Sequence, residues 1–377
     1  MKSNYDVLGN HIRLIDRRNS DLITEQVLGI NIDKFFMPSV ANVIGTDLSK
    51  YKLIQKGNFA CNPMHVGRDE RLPVALYTSD DPAIVSPAYF MFEIIDKSVL
   101  NAEFLMMWFR RAEFDRVCWL HTDGSVRGGI TWDDLCRLEI PVPPIDEQIS
   151  IVKSYKAITE RIEIKKQIND NLEAQLRAYH TEFVANDELS NPGKLKDVCT
   201  MQYGYTETAT LENVGPKFLR ITDIAQSFID WNTVPYCPIS KQDYEKYVLR
   251  EGDVVVARTG ATVGVAKMMY GRIPDAVFAS FLVRIKPLDE EYKYYFGLAI
   301  TSSDFLDFVQ TNAGGSAQPQ ANPPLLGEYE LPIPPKERLQ DFNSVAQSFL
   351  KTMESNEIEI SQLKELQKTL LYTMSRR

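Results

Sequence analysis

Glycine and proline are absent from two long stretches of this 377-residue chain, residues 148–184 and 336–377, although the whole sequence carries 19 and 20 of them. Neither stretch offers a ready place for a turn. Positive charge is also short: 42 Lys and Arg stand against 51 Asp and Glu, a net −9. Counted along the sequence, residues 1–140 carry −3, 141–187 carry −2, 188–330 carry −5 and 331–377 carry +1. That excludes a simple nucleic-acid coat; contact with DNA would need locally clustered cations or phosphate contacts shared with a partner. Five cysteines (Cys61, Cys118, Cys136, Cys199, Cys237) show no CxxC or zinc-finger spacing. They read as small buried hydrophobes, reduced in a cytoplasm. The N-terminal "MKSNYDVLGNHIRL" lacks the apolar core of a secretory signal, and apolar runs such as "FLMMWF" (104–109) are far too short to cross a membrane. A cytoplasmic protein is expected. Walker A and dinucleotide fingerprints are missing as well.

What is present is a repeat. "RLEIPVPPIDEQ" (137–148) returns as "EYELPIPPKERL" (328–339), 191 residues on. At the same offset Gly124-Ser125 faces Gly315-Ser316, and "SPAYFMFEI" (86–94) faces "VFASFLVRI" (277–285). Upstream the offset drifts to 195, where "YKLIQKGNFA" (51–60) resembles "YVLREGDVVVA" (247–257). Drift of this kind means loop insertions between similar cores. Each copy reads as a mixed α/β module of short strands and Gly/Pro turns, with one amphipathic helix, residues 102–119 or 292–310. Each closes on a strand ended by its proline cluster, since proline lacks an N–H and fixes φ.

The Gly/Pro-free stretches follow those clusters. Spacing of three and four residues picks out Ile151, Tyr155, Ile158, Ile162, Lys165, Asn169, Leu172, Leu176, Tyr179 and Phe183. In the second copy it picks out Phe342, Ala346, Phe349, Met353, Asn356, Ile360, Leu363, Gln367, Leu370 and Met374. Helices of about 36 residues would run roughly 50 Å, outrunning a module whose radius of gyration is about 14 Å. Each helix either packs on its own module or pairs with its copy; pairing, antiparallel about a pseudo-twofold axis, buries both stripes. Lys165, Asn169, Asn356 and Gln367 either fix the register or end the seam in solvent.

A variable α/β module, a "PVPP" or "PIPP" strand end and a long helix, the whole written twice, resembles the DNA-specificity (S) subunit of Type I restriction–modification systems. The junctions resemble that family's "PLPPLEEQ" pattern, and "EGDVVVARTGATVGVAK" (251–267) its second-module consensus. The first module resembles another branch, through "YKLIQKGNFACNP" and "SPAYFMF"; "KERL" departs from the usual Glu-Gln pair. The resemblance implies an α+β protein with two target-recognition domains, residues 1–145 and 187–335, related by pseudo-twofold symmetry. Two long antiparallel coiled-coil helices, 146–186 and 336–377, would separate them. It implies a non-catalytic subunit that recognises a bipartite, asymmetric double-stranded DNA target. Two methyltransferase (M) subunits would sit on the helices, with restriction (R) subunits joining through them. No cofactor would be bound here; S-adenosylmethionine, ATP and Mg would belong to partner subunits.

Bases are read by Arg, Lys, Asn, Gln, Ser and Thr, and phosphates held by Lys, Arg and backbone N–H. In the second module the turn Arg258-Thr259-Gly260-Ala261-Thr262-Val263-Gly264 with Lys267 is the first candidate, against an ordinary hairpin with one arginine. Tyr203, Tyr205 and Thr206, then Lys217 and Arg220 with Thr222, and Ser316 with Gln318 follow. In the first module the candidates are Arg17, Arg18, Asn62, His65, Arg68, Ser125 and Arg127. His65 is equally a surface loop residue.

Two matches suggest an enzyme. Pro274-Asp275 followed by Glu291-Tyr292-Lys293 fits the PD…ExK pattern of metal-dependent nucleases, but here Glu291 opens a helix, where acids are favoured anyway. Asn322-Pro323-Pro324-Leu325 is reminiscent of the NPP[YF] loop of amino-methyltransferases, without its aromatic and without a G-x-G turn for the methyl donor. Asp133-Asp134 and Glu290-Glu291 read as helix-start or surface acids. The remaining alternative is a coiled-coil protein scaffold that does not touch DNA.

Overall fold

The computed structural model describes residues 5–40, 45–64, 66–122, 128–313 and 320–374. The chain divides into two compact units, residues 1–160 with 365–377, and residues 161–364. In the first, Ile12–Leu14, Phe90–Ile94, Phe59–Cys61 and Val74–Leu76 form one antiparallel sheet in that order. A second sheet holds Phe36–Pro38, Val27–Ile30, Ala83–Val85 and Lys52–Ile54. In the other unit, Cys199–Tyr203, Leu282–Pro287, Val254–Ala257 and Ala266–Met268 form an antiparallel sheet with the same connectivity as the first unit's antiparallel sheet. A parallel pair, Lys217–Leu219 with Ala276–Phe278, accompanies it.

The drifted part of the repeat is the same turn made twice. Gly57 and Gly252 both sit at φ +89°, left-handed backbone that glycine adopts without penalty. Gly57 N donates to Tyr77 O at 2.9 Å and Gly252 N to Met269 O at 2.8 Å. Asn58 Oδ1 accepts from Gln55 N at 3.0 Å, while Asp253 Oδ2 accepts from Arg250 N at 2.9 Å. Amide and carboxylate do one job here, which is why the sequences diverged while the turn did not.

The helix expected over 102–119 is two, Ala102–Phe109 and Ala112–Leu120. Arg111 breaks it: buried and extended, it lays its guanidinium over the Trp108 ring at 4.2 Å and pairs with Glu113 at 3.3 Å. The helix expected over 292–310 is likewise Lys293–Ile300 and Ser303–Asn312, where Ser302 caps the second piece by accepting from Phe305 N. Strand 277–285 is also interrupted, at Ser280 and Phe281.

Both proline-ended strands close their unit by pairing antiparallel with its opening strand, Glu139–Pro141 with Tyr5–Val7 and Glu330–Ile333 with Asn191–Lys194. Gln148, fully buried, then locks the first long helix: its Nε2 donates to Val99 O (2.8 Å) and Pro143 O (2.7 Å), and its Oε1 accepts from Asn101 N (2.8 Å). At the matching place in "KERL" stands Leu339, fully buried in the apolar core. The carbonyl equivalent to Pro143, that of Pro334, takes its hydrogen bond from Tyr292 Oη at 2.6 Å instead. The departure from the family junction is therefore compensated in the same structure.

The long helices run Ile145–Ala185 and Lys336–Thr373. None of the 20 seam positions is exposed. Within residues 161–364, Lys165 Nζ meets Asn356 Oδ1 at 2.8 Å, Asn169 Nδ2 meets Met353 O at 3.1 Å, and Phe183 meets Phe342. One number rises as the other falls, so the helices pair antiparallel. In the other unit Gln367 Nε2 donates to Thr159 Oγ1 at 2.7 Å, and Met374 joins the core with Ile151 and Val152. The same residues pack on the module cores, so pairing and packing are both present. The architecture is α+β, two α/β modules and a pair of long helices.

The polar seam residues interlock rather than fray. Asn356, 5% exposed, accepts from Lys165 and donates to Asn169 Oδ1 at 2.7 Å, while Lys165 also pairs with Glu359 at 2.9 Å. A shifted register would bury these groups unpaired. Asn356→Ala is expected to cost about 1–3 kcal/mol, read as a lowered urea midpoint; an unchanged midpoint would mean that the network contributes nothing. Cys61, Cys118, Cys199 and Cys237 are buried free thiols, and burial pushes Cys118 and Cys199 up to about 12. Among the described residues no helix is long and apolar enough to cross a membrane.

Candidate nucleic-acid interface

The turn after Val254–Ala257 is held by its glycines. Gly260 (φ +81°) begins a single 3-10 turn through Thr262, and Gly264 (φ +87°) returns its N–H to Ala257 O at 2.9 Å. Arg258 lays its guanidinium over the Tyr203 ring at 4.6 Å, and its buried Nε has no hydrogen-bond partner among the described residues. Thr259 bridges to Gln320, Thr262 is half-buried and Thr206 is exposed. Tyr203 and Arg258 therefore come together. Tyr205 does not join them; it turns inward against Tyr247, ring centroids 5.3 Å apart.

The other candidate cations of this module, Lys267, Lys217 and Arg220, are engaged internally. Lys267 donates to the carbonyls of Gln226 and Ser227. Burial lowers its pKa, while Glu173 and Glu357 on the long helices act the other way. Lys217 donates to Val234 O at 2.8 Å and lies over the Tyr236 ring. Arg220 clasps Asp223 with Nε at 3.0 Å and Nη2 at 2.9 Å, which raises its pKa. It lines a polar recess of about 420 Å³ with Thr222, Lys166, Lys364, Asp223 and Asp230.

In the first module Arg17 donates to Gln55, and Arg18 spans Lys50 O (2.8 Å) and Asp16 (2.7 Å); both arginines are exposed. Asn62 Oδ1 accepts from Met64 N at 3.1 Å, an Asx turn. His65, Ser125, Arg127, Ser316 and Gln318, and the side chain of Arg68, lie outside the described residues. Lys34 escaped notice in the sequence. It is 4% exposed, pairs with Asp115 at 2.7 Å and donates to Phe109 O, and burial lowers its pKa. Its partner lies 81 residues away, so no local pattern announces it.

The groups that suggested chemistry have structural tasks. Lys293 Nζ pairs with Glu251 at 3.0 Å, and Asp275 accepts from Tyr244 Oη at 3.2 Å. Asn322 Oδ1 accepts from Leu325 N at 2.9 Å, capping the short helix Pro323–Gly327. Thr131 caps the helix that Asp133 and Asp134 open, and Asp289 caps the turn of Glu290 and Glu291.

A family described as the Type I restriction modification DNA specificity domain matches residues 75–174 and 188–368, and the chain belongs to that family. Both matched stretches carry the DNA specificity domain of Type I restriction–modification systems. The type I restriction enzyme MjaVIII specificity subunit of Methanocaldococcus jannaschii is 24% identical over 261 residues, 62% of this chain. The match spans only 60% of that relative's length. A putative type I restriction enzyme MjaX specificity subunit of the same organism is 44% identical over 50 residues, 13% of this chain and 12% of the relative. Among solved structures, the Type I restriction–modification S subunit from M. genitalium shares the fold with a TM-score of 0.56 at 14% identity, covering 98% of this chain and 95% of that one.

Proposed function

We propose that this chain reads a bipartite, asymmetric duplex DNA target for a cytoplasmic Type I restriction–modification complex. Residues 1–145 and 187–335 each recognise one half-site, and the long helices cover 146–186 and 336–377. Two methyltransferase subunits dock on those helices and restriction subunits join through them. S-adenosylmethionine, ATP and Mg are held by those partners. The observation that carries this reading is a single strand connectivity made twice from different sequences, each copy running through a proline-ended strand into a long paired helix. Shared scaffolds with dissimilar surfaces suit a split, asymmetric target. The net charge of −9 fits DNA contact made together with partners.

Methylation-sensitive long-read sequencing of a host with and without the gene is expected to reveal one bipartite motif that vanishes with the gene; no such motif would refute the reading. Arg258→Ala and Arg127→Ala are each expected to relax preference at one half-site by about 1–3 kcal/mol in competition binding. Preference unchanged at both half-sites would remove these two residues from the interface.

A further inference from the structure

Phe281 stands at the repeat position of Phe90, yet the two differ in fate. Phe90 packs edge-on to Trp132, ring centroids 5.7 Å apart. Phe281 is 60% exposed at the tip of a tight turn closed by Leu282 N donating to Ala279 O at 2.9 Å. A bulky aromatic held out at a turn tip has no ring partner among the described residues of the module.

The neighbours of Phe281 give it a task. Ala257 pairs with Leu282, and the next rung is closed by Arg258 N donating to Phe281 O at 2.9 Å, so Arg258 and Phe281 stand opposite each other. Tyr203 pairs with Val283 on the other side of the same strand. Opposed residues, and residues two apart, share a face. Arg258, Phe281 and Tyr203 therefore occupy one face at one end of the sheet. Tyr203, itself 40% exposed, holds the guanidinium plane by stacking. That fixes a side chain that otherwise loses much rotamer freedom on binding.

Fixed planar guanidinium matches the O6/N7 edge of guanine, and an exposed aromatic beside it matches the thymine 5-methyl in the same groove. We infer that Arg258 and Phe281 together read a guanine–thymine step in the major groove, Arg258 bonding the guanine, Phe281 covering the methyl of the adjoining thymine and Tyr203 positioning the arginine. This rests on the duplex-reading function proposed above. Module one, with Phe90 packed away, lacks this device.

The test uses the full chain with its methyltransferase partner and duplexes of the mapped target. Arg258→Ala first identifies which half-site belongs to this module. Thymines in that half-site are then replaced by uracil one at a time, which removes only the methyl. One replacement, beside a guanine, is expected to weaken binding about fourfold. Phe281→Ala is expected to bind the thymine and uracil duplexes alike, while Phe281→Leu keeps part of the difference; melting of both variants matches the parent, because the side chain is exposed. A half-site with no thymine next to guanine overturns the inference, as does a thymine preference that survives Phe281→Ala. Bipartite binding with unchanged Phe281→Ala affinity overturns this inference alone; no bipartite binding by the parent complex overturns the function as well.

Discussion

Phe342→Ala is expected to destabilise residues 161–364 by about 3–5 kcal/mol and to lower their melting temperature by about 10 °C. Phe342 is fully buried on the second long helix. On the first long helix its ring stacks on Tyr179 at 5.5 Å, meets Phe183 at 4.8 Å and lies 5.9 Å from His180. From the module, Tyr295 meets it edge-on at 5.8 Å. One side chain thus joins both helices to the α/β module, and its removal leaves a cavity bordered by four rings that cannot all collapse into it. His180 supplies a second readout. Burial holds its pKa down to about 4, and its Nε2 has no hydrogen-bond partner among the described residues. Water admitted by the cavity would let that pKa climb toward the ordinary histidine value, visible in an NMR titration. Ile358→Ala, half-exposed on the same helix, is the control and is expected to cost under about 0.5 kcal/mol. Equal midpoints for the two variants would show that the aromatic cluster does not join these elements.

That cluster also marks where sequence and structure part company. The pairing of the long helices was legible because Phe342, Tyr179 and Phe183 recur at helical spacing within stretches free of glycine and proline. The repeat was legible because the proline clusters and the KGN/EGD turn keep their backbone demands while side chains change. The helix break at Arg111 was not: arginine is a good helix former, and only its stacking on Trp108, a tertiary contact, overrides that preference. Among the candidate DNA-reading residues, type was legible and destination was not. Lys267 is a cation at the end of a glycine-rich turn, as the sequence says. Its ammonium nevertheless reaches carbonyls of Gln226 and Ser227, 41 and 40 residues upstream. Phe281 aligns with Phe90 in the repeat, yet Phe90 packs on Trp132 while Phe281 is exposed.

Within residues 161–364, Glu357→Gln is expected to gain stability relative to the parent as pH rises from about 4.5 to about 7, where the buried His180 common to both proteins cancels from the difference. Glu357 lies on the second long helix, where Tyr270 Oη donates to its carboxylate. Burial pushes its pKa up to about 7, against the opposing pull of the Tyr270 bond and Lys267, and with added repulsion from Glu354 and Glu173. The folded state therefore keeps a proton that the unfolded chain releases near 4.5. Its favourable contribution is complete below that pH and gone above about 7, an expected swing of about 2–3 kcal/mol. Lys267 faces the same cluster, and burial lowers its pKa against the pull of Glu173 and Glu357. Urea midpoints at pH 5, 6, 7 and 8 check the claim. Glutamine can still accept from Tyr270 and carries no charge, so its midpoint should climb away from the parent's as pH rises and lie above it at pH 8. Parallel curves would assign the pH dependence elsewhere. The consequence for recognition is positional: Tyr270 follows the strand Ala266–Met268, and Arg272 N donates to Glu354. Two glutamates of one helix thus hold the hairpin that begins at Arg258. Ionising Glu357 should loosen that hold, so the parent's half-site preference at this module should weaken between pH 6 and 8 while the Gln variant's does not.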